Sequence, residues 1–102
     1  MSKKKTNKVK AVKKNLLKEA DKEHYFYLCD GSVIKNVLEL SKCIETMSNE
    51  VFGHHVNDMK NDFSSWINDI YSDEKLAQKM LETTDKDKTQ IVLLKAVIEK
   101  FR

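Results

Sequence analysis

Residues 58–70 read Asp58-Met59-Lys60-Asn61-Asp62-Phe63-Ser64-Ser65-Trp66-Ile67-Asn68-Asp69-Ile70. Met59, Phe63, Trp66, Ile67 and Ile70 recur at spacings of three and four, which predicts a helix from Asp58 with one apolar stripe and Trp66 as its core anchor. The neighbouring segments repeat this pattern. Asn36 followed by Glu39 is a capping pair ahead of Leu40, Cys43, Ile44 and Met47, and Ser48 with Glu50 starts a short helix bearing Val51 and Phe52. Ser72 ahead of Asp73 and Glu74 reads as a further cap, because negative charge complements the free amides of a first helical turn. Leu76, Ala77, Met80 and Leu81 then form the buried face. Thr84-Asp85-Lys86-Asp87 opens a last helix lined by Ile91, Leu94, Val97, Ile98 and Phe101.

No proline and only Gly31 and Gly53 are present, so the turn chemistry that sandwiches and hairpins need is scarce. His24 to Leu28 is an aromatic run ended by the turn signal Asp30-Gly31. It reads as one extended segment, and one strand cannot make a sheet. The expected fold is all-α: a compact bundle of five or six short helices with a basic, partly disordered N-terminal arm. Phe63, Trp66, Ile67, Leu94 and Ile98 are expected in one core.

The formal charge of +3 conceals a division. Residues 1–22 hold nine lysines against Glu19 and Asp21, a net +7, whereas the rest holds ten basic against fourteen acidic residues, a net −4. This divides the chain into a lysine-rich arm, 1–22, and an acidic helical domain, 23–102. Val9, Val12 and Leu16, with Leu17 and Ala20, give the arm an amphipathic helical pattern over about residues 9–22. A length of 102 residues supports one core. Two cysteines without a closely spaced pair fit a reducing interior. A secretory leader is not legible, and the longest apolar run, Ile91 to Ile98, falls well short of a membrane span. These features predict a soluble cytoplasmic protein.

Polar chemistry is densest at His54, His55, Asn57, Asp58, Asn61 and Asp62. On a continuous helix residues 54, 58, 61 and 62 would share a face, and a histidine with carboxylates is a start toward a metal site. A closed site needs three or four ligands, and the others would have to arrive from elsewhere, Cys29 or Cys43 among them. His54, His55, Asn57, Asn61 and Asp62 are therefore read as a structural polar motif at a bend between helices, with neither metal nor cofactor expected. A cysteine paired with His55 would be a nucleophile, but Cys43 at an apolar helical position reads as a core residue. With no phosphate-cradling glycine loop either, the chain is not expected to be an enzyme.

His24-Tyr25-Phe26-Tyr27-Leu28-Cys29-Asp30-Gly31, then His54-His55-Val56-Asn57, then Asn61-Asp62-Phe63 with Trp66-Ile67, resembles an uncharacterised small prokaryotic helical domain family. The resemblance covers roughly residues 24–100 and implies a compact helical fold. It carries over no catalytic role.

Function must then be read from charge. Lys3, Lys4, Lys5, Lys8, Lys10, Lys13, Lys14 and Lys18 precede the first acidic residue, Glu19, and such an arm binds phosphates by releasing condensed counterions. It contains no arginine, the usual bidentate reader of guanine, so non-specific binding of DNA or structured RNA, ribosomal RNA included, is expected. Tyr25, Phe26 and Tyr27 beside the arm could stack on unpaired bases, or could simply pack. The rival expectation is a protein-interaction module that meets a protein partner through the acidic body, its tail only solubilising. An amphipathic Val9–Ala20 helix lying on anionic lipid is weakened by the lack of an aromatic anchor, and no membrane partner is expected.

Overall fold

The computed structural model describes residues 15–100. Lys3 to Lys14, the Val9–Val12 part of the first amphipathic pattern and Phe101 lie outside the described residues.

Helices dominate, but two short hairpins interrupt them. A 3-10 turn, Lys22–His24, leads into strand β1, Phe26–Tyr27, which pairs antiparallel with β2, Val33–Ile34. Helix α1 spans Val37–Thr46 and α2 spans Asn49–His55; strands β3, Val56–Asn57, and β4, Lys60–Asn61, form the second hairpin. Helix α3, Asp62–Trp66, continues as a wider π-helical turn over Ile67–Tyr71. Helices α4, Glu74–Met80, and α5, Lys86–Glu99, complete the described chain.

Differences from the sequence expectation have clear physical causes. The aromatic run does find a partner strand, because the Gly31 amide donates to the Leu28 carbonyl (2.9 Å) and Gly31 adopts φ +94°, which turns the chain back on itself. Asp30 Oδ1 accepts from the Ser32 amide at 2.9 Å and tightens that turn. Two residues per strand carry no readable periodicity, which is why the return strand was invisible. The helix expected from Asp58 begins only at Asp62, after the second hairpin. Asn61 is its cap, accepting from the Ser64 amide at 2.9 Å, and Met59 stands at the hairpin tip, 90% exposed. Finally, residues 15–21 are not helical. Their backbone is spent on the body: the Val37 amide donates to the Leu16 carbonyl (3.1 Å), Asn36 Nδ2 to the Leu17 carbonyl (2.9 Å), and the Ala20 amide to the Lys35 carbonyl (2.8 Å). Leu16 is fully buried, so this part of the basic segment belongs to the core.

Helix termini follow the local chemistry of the chain. Asn36 Oδ1 accepts from the Glu39 amide (2.8 Å), and Glu39 reaches back to accept from the Lys35 amide (2.9 Å), one residue before the cap. Ser48 caps α2 through the Val51 amide, and Asp85 caps α5 through the Lys88 amide. The expected cap at Ser72 shifts by one. Asp73 accepts from the Leu76 amide, while Ser72 takes a left-handed φ of +52° that closes the π turn before it.

The core gathers Leu16, Ile34, Val37, Leu40, Ile44, Phe63, Ile67, Met80 and Leu93, with Trp66 at its margin. Helices α1 and α5 lie against each other, and Gln90 Nε2 donates across them to the Ser41 carbonyl at 3.0 Å. Leu94 and Ile98 are outside this core. They are 37% and 56% exposed, because α5 is rotated so that Thr89, Leu93 and Val97 face inward. A three-four spacing marks two adjacent stripes on α5, and packing against α1 and α4 selects the other one.

Thr89 is fully buried and its hydroxyl has no hydrogen-bond partner among the described residues. A buried unmet hydroxyl costs stability that a methyl group of the same shape does not. Thr89→Val should therefore raise stability by about 1 kcal/mol, seen as a rise of roughly 4–8 °C in the thermal midpoint. A lowered midpoint would show that the hydroxyl is satisfied.

Candidate functional site

The polar constellation is built where α2 ends and the second hairpin begins. His55 occupies the last residue of α2, and its ring is buried. Phe26 meets it edge-on at 5.2 Å between ring centroids, and Phe63 lies 5.5 Å away on another side. Both ring nitrogens are used. The Cys29 amide donates to Nε2 at 3.0 Å, so Nε2 carries the lone pair, and Nδ1–H donates to Asp62 Oδ2 at 3.0 Å. The partners thus select one tautomer. Lys60 Nζ donates to the same Asp62 oxygen at 3.0 Å.

Burial works to raise the Asp62 carboxyl, but the hydrogen bonds from His55 and Lys60, with the charge of Lys60, outweigh it and hold its pKa below the usual carboxylate value. Asp62 therefore stays an acceptor, which keeps the His55 ring oriented.

Each remaining member of the constellation has a distinct place. Asn57 Nδ2 donates to the Gly53 carbonyl at 2.8 Å and closes the end of α2, while its Oδ1 accepts from the Met59 amide at 2.9 Å and shapes the hairpin turn. Asn61 is buried; besides capping α3 it donates to the Met80 carbonyl at 3.3 Å. Asp58 lies exposed in the turn, so the shared face that a continuous helix would have given to residues 54, 58, 61 and 62 does not exist. His54 is the exception among the histidines and asparagines of this segment: exposed, with its ring edge-on to His55 at 4.8 Å.

Cys29 arrives here from the first hairpin. One donor atom from each of Cys29, His54 and His55 lies within 4.8 Å of the others. In the sequence Cys29 and Cys43 are equally open as a missing ligand, because the return strand that carries the Cys29 turn to His55 leaves no periodic trace. Cys43 stays apart, half-buried against the core, where burial, with the charges of Asp30 and Glu39, pushes its thiol above the ordinary value.

Of the lysines expected to bind nucleic acid, Lys18 is the one within the described residues. It is exposed, and its carbonyl accepts from Tyr71 Oη at 2.7 Å. Burial, with the charges of Glu19 and Glu39, holds the Tyr71 hydroxyl protonated far beyond the usual tyrosine range, so it remains a donor. The aromatic run alternates. Phe26 packs on Phe63 and Trp66 at 5.0 and 5.8 Å, while Tyr27 faces solvent. Tyr25, Tyr27, Val33, Lys22, Lys35 and Glu23 line an open groove, with Lys35 Nζ 5.8 Å from the Tyr25 ring centroid. Comparison with family models, curated proteins and solved structures finds no match to this chain.

The two histidines should separate cleanly in a stability measurement. His55→Ala removes a buried ring from against Phe26 and Phe63 together with its two hydrogen bonds, costing about 2–4 kcal/mol, whereas His54→Ala at an exposed position should change stability by less than about 0.5 kcal/mol. Urea unfolding followed by Trp66 fluorescence measures both. Equal losses would mean that the hydrogen-bonded ring carries no special weight.

Proposed function

We propose that the protein is a non-enzymatic nucleic-acid-associated protein that grips DNA or structured RNA through its lysine-rich N-terminal segment. The observation that carries this reading is the distribution of charge about the buried Leu16. Residues 1–14 hold seven lysines and no acid, a net +7, and residues 15–102 hold twelve basic against sixteen acidic residues, a net −4. Such a segment attracts phosphates by counterion release, whereas the acidic remainder repels them.

Two structural features support the reading. The basic segment joins the body at a rigid point, because Leu16 is buried and the carbonyls of Leu16, Leu17 and Lys18 all accept hydrogen bonds from the body. Beside that point Tyr25 and Tyr27, flanked by Lys22 and Lys35, offer aromatic faces on which an unpaired base would stack, although Glu23 shares the groove and lessens its attraction.

A second reading, a protein-interaction module with a solubilising tail, draws on one specific observation. Leu81, Ile91, Leu94 and Ile98 are large, apolar and exposed, and the last three follow a single stripe of α5. Scattered apolar residues are ordinary on a surface, but an aligned stripe is the kind of feature a partner covers.

Truncation separates the two readings. Removing residues 1–14 spares Leu16 and should leave the body folded, while binding to random-sequence duplex in low salt falls at least a hundredfold. For the full chain the logarithm of affinity against the logarithm of salt should have a slope of about −6 or shallower, losing roughly one unit for each engaged lysine changed to glutamine. Fluorescence anisotropy across a salt series provides both numbers. Undiminished binding by the truncated protein would remove the segment from the function and leave the body's surface as the site.

A further inference from the structure

We propose that Cys29, His54 and His55 form a binding site for a zinc ion, with Asp62 as the outer carboxylate that orients His55. This inference is independent of the nucleic-acid reading.

The donor set is chemically suited to zinc, which binds thiolate and imidazole together in tetrahedral sites. The three donor atoms lie within 4.8 Å of one another. Ligands bound at zinc distances of about 2.0–2.3 Å in a tetrahedron are about 3.3–3.8 Å apart, so the cluster must contract by about 1–1.5 Å at most. Two of the three residues are positioned to allow this. Cys29 lies in the exposed turn between β1 and β2, and His54 is an exposed residue near the end of α2. A fourth position is left for water.

The arrangement behind His55 carries the argument furthest. A histidine that binds a metal generally donates its other N–H to a carboxylate or carbonyl, which fixes the tautomer and aims the free lone pair. His55 has that arrangement: Nδ1–H donates to Asp62, Lys60 donates to Asp62 in turn, and the Nε2 lone pair is directed at Cys29. Its present partner there is the Cys29 amide, in an exposed turn where water can replace the ring as acceptor. Zinc entry therefore exchanges one backbone hydrogen bond for a metal bond and converts the Cys29 thiol to thiolate, releasing its proton to solvent.

Cobalt(II) is the probe, since a cysteine thiolate bound to it gives a charge-transfer absorption in the near ultraviolet. The full chain, untagged, reduced and stripped of metal, should bind one equivalent of cobalt with that absorption, and one equivalent of zinc should bleach it. Cys29→Ser should abolish the thiolate band, Cys43→Ser should leave it intact, and His54→Ala should weaken cobalt binding at least tenfold. Asp62→Asn should weaken it roughly 10–100-fold. Cys29 and His54 are exposed, so circular dichroism of those two variants should match the parent and their results stand on their own. No thiolate band at stoichiometric cobalt, a band that survives Cys29→Ser, or an affinity indifferent to His54→Ala would each overturn the site and leave His55 as a hydrogen-bonded brace alone.

Discussion

The imidazole of His55 ties together three pieces of chain: the turn at Cys29, the end of α2 and the start of α3 at Asp62. Its two nitrogens demand opposite partners, one a donor and one an acceptor, and both are met. Phe26 and Phe63 pack against the ring, and Trp66 beside them donates its indole N–H to the His24 carbonyl at 2.7 Å. A polar group thus organises the aromatic part of the core. Buried polar networks of this kind specify one arrangement when every member is satisfied.

Much of the helical architecture is legible in the residues, because capping is local chemistry. Asn36, Ser48 and Asp85 announce helix starts through side chains that bond amides two or three residues away, and all three do so in the structure. Errors arise where local pattern meets a long-range competitor. Val56 to Asn61 contains nothing that forbids a helix, yet Asn57 holds a turn by bonding backward to Gly53 and forward to Met59, so a hairpin forms instead. Leu94 and Ile98 satisfy helical periodicity as well as Leu93 and Val97 do. Contact with α1 and α4 decides between them, and contact is not written in one helix.

The candidate site was half legible for the same reason. His54, His55, Asn61 and Asp62 are close in sequence, so their convergence can be anticipated, though the element joining them is a hairpin. Cys29 stands 26 positions from His55 and reaches it only through the pairing of β1 with β2. A strand of two residues leaves no periodic trace, and a site that depends on one is hidden from pattern reading.

The burial of Leu16 also bears on the order in which the protein can be completed during synthesis. Lys18, two residues further on, hands its carbonyl to Tyr71, a partner 53 positions later. At about 5–20 residues per second, the interval between their emergence is roughly 3–10 s. Asn36 and Val37, which bond the Leu17 and Leu16 carbonyls, emerge within that time, but the tyrosine that holds Lys18 does not. The contact that fixes the Lys18 carbonyl is therefore among the last to form, since it waits for a tyrosine on the far side of α3.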